Sequence, residues 1–199
     1  MDTTYTKEIF SGLAILIGTV TYFPYVLGMI KGITKPHMFS YLIWAVVCTI
    51  GAAIQIAEGA GIGSVYMAYN ALLCSAIAIF SYWKGTKDIK QSDWITLLIA
   101  FAAIPLWVVT KEPIWSLFIL IGIEGIAYYP TIRKSWLRPD QEVAFSWFMA
   151  GFASMFAILA LENYSITTYL HPLTLMVVNI IFGIFLLARR RTLTGNKES

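Results

Sequence analysis

Charged residues are scarce in this sequence of 199 residues. They make up 13% of the chain, whereas 58% of the residues are hydrophobic and the mean hydropathy is +0.71. This composition is far too apolar for a soluble domain with a polar surface. We therefore expect a chain whose main solvent is lipid.

Cysteine is also scarce, because Cys48 and Cys74 are the two that the sequence contains. Both fall inside long apolar runs, which excludes an evident disulfide framework in exposed loops, and their spacing is not that of metal ligands. We expect both side chains to be small, buried and hydrophobic. No metal or other cofactor is expected.

The sequence lacks the motifs that indicate catalysis or nucleic-acid binding. It contains no HExxH pattern and no nucleophile placed beside a base. Its basic residues are not interleaved with aromatic residues along one face, as they are in many nucleic-acid-binding proteins. We therefore expect neither an enzyme nor a nucleic-acid partner.

Long apolar runs follow one another along the chain, separated by short clusters of charge. A bilayer core of about 30 Å requires about 20 apolar residues in each helix, and runs of this length are too long for barrel strands. The sequence predicts an all-α membrane protein with seven transmembrane helices. They are expected at residues 9–30, 38–57, 61–83, 94–110, 114–132, 143–161 and 166–188.

Lysine and arginine are distributed unevenly between the two sides of the predicted membrane. Except for Lys7 and Lys111, all of them fall in the loops after the first, third and fifth spans or in the C-terminal segment. The side rich in Lys and Arg is normally cytoplasmic. We therefore predict a protein of the bacterial inner membrane with its N-terminus outside and its C-terminus in the cytoplasm.

An internal repeat is found when the sequence is shifted by 106 residues. Tyr22 then coincides with Tyr128, Pro24 with Pro130, Phe39 with Phe145 and Ser40 with Ser146, and a shift of 109 brings Asn70 onto Asn179. The repeat predicts a 3+1+3 arrangement of two parallel three-helix repeats. These are residues 1–92 and 113–191, joined by a linker helix at 93–112 and followed by a disordered tail at 192–199.

Two stretches resemble the repeat of the SWEET and PQ-loop transporter superfamily, namely TYFPYVLGMIKGITKPHMFSYLIWAV and AYYPTIRKSWLRPDQEVAFSWFMAG. The resemblance covers nearly the whole chain. It implies a small-solute transporter in which Asn70, Asn179 and Trp44 surround the solute. The dipeptide that names the PQ-loop branch is replaced by Pro24-Tyr25 and Pro130-Thr131, and the position that matches Trp44 is Ala150, which leaves the substrate class open. The chain is also similar to small bacterial membrane proteins that carry TKPH and PTIRKSW stretches.

Glu124 lies inside the fifth predicted span, in the stretch GIEGIAYYP. A carboxylate within the membrane costs roughly 2.5 to 3.5 kcal/mol, so it usually faces a cavity, a partner or a proton path. No span contains a Lys or Arg well inside it, and His37 and His171 are expected in or next to loops. We therefore expect protonation or a cationic solute to compensate Glu124. The alternative is that it bonds a group such as Asn70 and only fixes helix packing.

Further candidates complete the expected site. Gln55, Ser40 and Ser146 join the residues expected to bind the substrate. Proline removes a helical hydrogen bond and kinks the helix, so Pro24 and Pro130 are candidate hinges, or static kinks in the alternative. The aromatic residues beside them, Tyr22, Tyr128 and Tyr129, are candidates for a gate or for the interfacial aromatic belt.

The sequence thus predicts a small-solute transporter that works by alternating access and is coupled to protons through Glu124. Its expected partners are the solute, protons and the lipid bilayer. The alternative is a receptor or sorting protein of the same fold, similar to the KDEL-peptide receptors, which binds a ligand without transporting it. A strongly charged cavity on the outer side would favour the receptor. The sequence is compatible with both a monomer and a homo-oligomer.

Overall fold

The computed structural model describes residues 3–109 and 113–198, and within these ranges the chain forms seven α-helices. They are α1 Thr3–Ile30, α2 Met38–Ala57, α3 Ser64–Lys84, α4 Gln91–Val109, α5 Pro113–Leu137, α6 Ala144–Leu159 and α7 Ile166–Glu198. Short 3₁₀ turns, Gly61–Gly63 and Pro139–Gln141, precede α3 and α6. Thr110, Lys111 and the end of the predicted linker at residue 112 lie outside the described residues.

Five of these helices, α1, α2, α3, α5 and α7, are long and apolar enough to cross a membrane, and α6 is a shorter apolar helix. The outward surfaces of the helices are apolar as well, since Leu72 and Ile79 on α3 and Leu98 on α4 are 70%, 63% and 66% exposed. Helices that are apolar on all sides are typical of proteins in a lipid solvent. The all-helical fold is confirmed and is consistent with a membrane protein, whereas the count of seven spans stays a prediction.

The loops gather at two ends of the bundle. The end at which α1, α3, α5 and α7 finish, rich in Lys and Arg, is called the basic end here, and the other is the opposite end. At the basic end the backbone N–H of Thr86 donates to the carbonyl of Pro36 over 3.0 Å. At the opposite end the N–H of Glu162 donates to the carbonyl of Ala60 over 3.1 Å. Each end is therefore held by a contact between two of its loops.

The helices pack in corresponding pairs. Helix α2 packs on α3 as α6 packs on α7, while α1 lies against α6 and α2 against α5. The Ser40 hydroxyl on α2 donates to the Ala127 carbonyl of α5 over 2.7 Å. The Ser146 hydroxyl on α6 donates to the Thr21 carbonyl of α1 over 2.8 Å. Both the donors and the acceptors of these bonds are related by the predicted shift of 106 residues.

A partly buried charge cluster joins the start of α2, the start of α4 and the end of α5. The Arg133 guanidinium donates to both carboxylate oxygens of Asp93, over 2.7 and 3.2 Å. It also donates to Asp88 over 3.1 Å. His37 Nε2 lies 3.3 Å from Asp93 Oδ2, and both side chains are fully buried. A bidentate contact of this kind is among the stronger polar interactions of proteins, so the cluster fixes α4 against its neighbours.

Helix α7 continues through residues 192–198, where the sequence predicts a disordered tail. The structure corrects this expectation. The hydroxyls of Thr192 and Thr194 donate to the carbonyls of Ala188 and Arg190, one turn earlier, over 3.1 and 3.0 Å. A helix that is already nucleated extends at small cost, because each added residue gains one hydrogen bond. No proline interrupts the segment after Pro172.

Stability is expected to fall as the pH is lowered through the range in which His37 titrates. Burial lowers the pKa of His37 from 6.5 to about 4, although Asp93 acts in the raising direction. Between these two values the unfolded chain binds a proton that the folded chain does not bind, so the free energy of unfolding rises with pH there. The full contribution is roughly 3 kcal/mol. Denaturant unfolding in detergent from pH 7 to pH 4 measures it.

The control for this prediction is His37→Gln, which keeps an amide donor near Asp93 but has no titrating group. Its stability is expected to depend less steeply on pH than that of the parent. Parallel pH profiles for the two proteins would mean that other groups govern the acid transition.

Candidate functional site

A cavity lies between α1, α2, α3, α5, α6 and α7, with an empty volume of about 550 Å³. This figure includes open solvent, and the space that water-sized molecules can occupy is about 50 Å³, which is room for a few waters. Its walls are mainly aromatic and polar. They are formed by Thr21, Tyr22, Tyr25, Tyr41, Trp44, Cys48, Tyr66, Asn70, Cys74, Glu124, Tyr128, Ser146, Trp147, Ala150, Ser154, Leu175 and Asn179.

Two tyrosine–asparagine pairs lie in the cavity wall. The Tyr22 hydroxyl on α1 donates to Asn70 Oδ1 on α3 over 3.0 Å. The Tyr128 hydroxyl on α5 donates to Asn179 Oδ1 on α7 over 3.1 Å. Both asparagines are buried, and a buried amide requires partners for its oxygen and its nitrogen. The tyrosines satisfy the oxygens and hold the two amides in fixed positions on the wall.

Glu124 is paired with His171, which from the sequence is expected in or next to a loop. His171 lies within α7 and is 1% exposed, and its Nε2 is 3.0 Å from Glu124 Oε2. The two groups are close but not aligned as a hydrogen bond, and both oxygens of Glu124 lack an aligned donor among the described residues. Because the chain itself supplies the partner, Glu124 does not require a cationic solute for compensation.

Gly51 makes room for this pair. A Cβ added to Gly51 on α2 would meet the imidazole of His171, with its Cε1 atom 2.7 Å away. Real Cβ atoms essentially never approach another atom that closely. The absence of a side chain at Gly51 therefore allows the ring of His171 to lie between α2 and α5.

Aromatic rings form a continuous cluster along one wall of the cavity. The Trp44 ring centroid lies 4.8 Å from that of Tyr128 and 5.7 Å from that of Trp147. Trp147 in turn lies 4.5 Å from Phe182 in an edge-on arrangement. The indole Nε1 of Trp44 is buried without a hydrogen-bond acceptor among the described residues. The wall can thus offer both ring faces and one unpaired donor to a bound molecule.

Glu142 closes the cavity towards the basic end. Its Oε2 accepts hydrogen bonds from the Tyr25 hydroxyl over 3.0 Å and from Trp147 Nε1 over 3.1 Å. Its Oε1 is paired with the Lys134 ammonium, and both side chains are almost completely buried. The backbone carbonyl of Glu142 also accepts from Arg190 on α7. One carboxylate therefore connects α1, α5 and α6 beneath the cavity.

The structure brings most of the expected site residues together. Among the residues expected to bind substrate, Asn70, Asn179, Trp44, Glu124 and Ser146 line the cavity, and so do the expected gate residues Tyr22 and Tyr128.

The remaining candidates lie elsewhere. Ser40 is buried against the Ala127 carbonyl, and the Gln55 amide donates to the Thr168 carbonyl over 2.7 Å. Tyr129 is 48% exposed on the outer surface of α5. Pro24 and Pro130 lie inside α1 and α5, and neither lines the cavity. Their expected role as hinges stays a prediction.

Trp147, His171 and Glu142 are site residues that sequence reasoning does not single out. For Trp147 a signal exists, because it coincides with Tyr41 under the shift of 106 residues, and both residues line the cavity. The other two carry no comparable signal. His171 stands close to the start of a span and Glu142 stands in a charged loop, so the sequence indicates that both are exposed to water.

Comparisons with protein-family models, with curated proteins and with solved structures give no match for this chain. The site is therefore interpreted from its own geometry.

Tyr128→Phe is expected to lower the free energy of unfolding by about 1 to 2 kcal/mol, because it removes the donor to the buried amide oxygen of Asn179. Thermal unfolding of the purified protein measures the change. The neighbouring substitution Tyr129→Phe is the control, since this residue is half exposed and is expected to change stability by less than about 0.5 kcal/mol. Equal effects of the two substitutions would contradict a stabilising role for the pair.

Gly51→Ala is expected to destabilise the protein, although alanine is normally favoured over glycine inside a helix by roughly 0.5 to 1 kcal/mol. The added methyl group must displace the His171 ring and thereby separate it from Glu124. Gly12→Ala on α1 provides the control, because a Cβ at Gly12 meets no atom within 4 Å. The unfolding temperature of Gly12→Ala should equal or exceed that of the parent. If Gly51→Ala also raises the unfolding temperature, the close contact with His171 is not a constraint.

Proposed function

We propose that this chain is a small-solute transporter that binds its solute in the cavity and works by alternating access between two parallel three-helix units. The first unit is α1 to α3, the second is α5 to α7, and α4 links them. In sequence and in this arrangement the chain resembles the SWEET and PQ-loop superfamily. The observation that carries the proposal is the presence of corresponding hydrogen bonds on both sides of one polar and aromatic cavity.

Two sets of bonds support the two-unit arrangement. Within each unit, a tyrosine of the first helix donates to an asparagine of the third, as in Tyr22–Asn70 and Tyr128–Asn179. Between the units, the serine of each second helix donates to the first helix of the other unit. A pseudo-twofold axis along the bundle would generate both sets at once. Transporters built from parallel repeats bind their solutes at such an axis.

The proposed orientation follows from the distribution of charge. The basic end carries most of the Lys and Arg residues, so it is assigned to the cytoplasm of a bacterial inner membrane. All seven helices then cross the membrane, with the N-terminus outside and the C-terminus inside. The Glu142 contacts close the cavity on the cytoplasmic side in this orientation, and the contacts between Ala60 and Glu162 lie on the outer side.

The pair formed by Glu124 and His171 is proposed as the proton-binding element. An ion pair and a neutral acid–imidazole pair differ only in the position of one proton, so either form leaves the pair without net charge. Addition of one proton gives it a positive charge beside the cavity, which is costly in a medium of low dielectric constant. Opening of the cavity to water on one side would lower this cost and allow proton uptake, and closure followed by opening on the other side would allow release.

Binding of a solute panel, measured by thermal shift from pH 5 to pH 8, followed by uptake of each hit into proteoliposomes, tests the function. A solute that stabilises the parent protein should be taken up, and a pH gradient should increase the rate. In Glu124→Gln we expect uptake that no longer responds to the gradient. In Asn70→Ala we expect binding to be weakened at least tenfold, because the amide is removed from the wall.

Glu8→Gln is the matched control, since Glu8 is an exposed carboxylate on α1. It is expected to retain both binding and the response to the pH gradient. Binding without uptake would favour a receptor of the same fold. Uptake that responds to the gradient in Glu124→Gln as it does in the parent would remove the pair from the coupling mechanism but leave transport intact.

A further inference from the structure

A second groove lies at the basic end, outside the central cavity. It is bounded by the loop between α1 and α2, the loop between α3 and α4, and the end of α5. The space in it that water-sized molecules can occupy is about 270 Å³. Four of the side chains that line it are cationic, namely Lys35, Lys87, Lys134 and Arg138, whereas Asp88 supplies the carboxylate.

The charge of Asp88 is already matched by residues other than these four. Lys90 Nζ lies 2.8 Å from Asp88 Oδ1, and Arg133 Nη1 lies 3.1 Å from Asp88 Oδ2. These two cations hold the pKa of Asp88 below its ordinary value, with Lys90 the larger cause. Asp88 is therefore ionised and engaged, and it does not supply a counter-charge to Lys35, Lys87 or Arg138.

Lys134 forms the floor of the groove, because it is 2% exposed and is paired with Glu142. The other three cations form no ion pair with a described residue. Lys87 Nζ donates only to the backbone carbonyl of Tyr82, over 2.8 Å. Lys35 and Arg138 line the same groove. The groove thus concentrates positive charge that the described part of the chain does not neutralise.

Hydrogen bonds between the loops fix the walls of the groove. The Lys134 ammonium donates to the Lys35 carbonyl over 2.7 Å, and the Lys35 N–H donates to the Gln141 carbonyl over 3.1 Å. The bond from Thr86 to Pro36 holds the loop between α3 and α4 against the loop between α1 and α2. Because the backbone is ordered before a ligand arrives, less conformational entropy is lost on binding.

We propose that this groove binds a phosphate-bearing anion. A phosphate oxygen accepts charge-assisted hydrogen bonds from lysine and arginine, and three unmatched cations suit its charge. Leu137 lines the same groove and is 63% exposed, so an apolar surface adjoins the cations. The headgroup of an anionic phospholipid and a free phosphate compound share this chemistry. Clusters of Lys and Arg beside membrane spans attract anionic lipids in this way.

The test uses the purified full chain in a neutral detergent, with two probes. The first is phosphatidylglycerol in mixed micelles, compared with phosphatidylcholine, and the second is inorganic phosphate, compared with chloride at equal ionic strength. The midpoint of thermal unfolding and the number of lipids retained in native mass spectrometry are measured. We expect a rise of several degrees with one of the two probes. The apparent affinity for that probe should fall at least tenfold in the triple variant Lys35→Gln, Lys87→Gln, Arg138→Gln.

The control is the triple variant Lys31→Gln, Lys84→Gln, Arg191→Gln, which removes three exposed basic residues at the same end but outside the groove. It should respond as the parent does. A response to phosphatidylglycerol but not to inorganic phosphate identifies a lipid headgroup as the ligand. A response to inorganic phosphate that is as large as the response to phosphatidylglycerol identifies a free phosphate compound. No response to either probe, or an equal loss in both triple variants, overturns the proposal. If the groove triple variant is unstable, Arg138→Gln alone is expected to weaken binding about threefold.

Discussion

Polar groups inside an apolar helix bundle must find their partners within the protein, and the rest of this structure depends on that constraint. An unpaired polar group in a hydrocarbon environment costs several kcal/mol, because no water is present to satisfy it. Two pairs of buried polar side chains in the cavity wall illustrate this constraint. Tyr128 satisfies Asn179, and Glu124 lies against His171. Each pair joins different helices, so the need for partners also fixes the helices relative to one another.

The helix positions were accessible from the sequence because they depend on local chemistry. The predicted span at 38–57 and α2, Met38–Ala57, have the same limits. Pro36 precedes this helix, and Gly59, which has a φ of +72°, follows it in a conformation that glycine adopts without strain. The candidates related by the repeat, Tyr22 with Tyr128 and Asn70 with Asn179, could be found as well, because the repeat is visible in the sequence itself.

The partners of these residues could not be predicted, because they are set by how helices far apart in sequence approach each other. His171 stands only a few residues into its span and reads as a residue near a loop. It is buried because Gly51, 120 residues earlier, leaves space for its ring on α2. Glu142 is similar, since its loop is polar in sequence but folds beneath the cavity. Both cases are tertiary effects that hydropathy along one segment cannot register.

The positions of the paired bonds bear on how the proposed transporter could move. In a rocking motion of two rigid units, contacts near the axis persist while contacts far from it break. The serine bonds connect the units through Ser40 and Ser146, which lie in the first turns of α2 and α6, towards the basic end. The bonds to Glu142 and the contact between Ala60 and Glu162 lie towards the two ends of the bundle. The bonds to Glu142 and the contact between Ala60 and Glu162 therefore suit gates at the two ends. Because Glu142 binds its cavity-side partners through neutral donors, Tyr25 and Trp147, an opening at that end could release those bonds without separating the buried ion pair with Lys134. Exposure of a lone charge would cost far more.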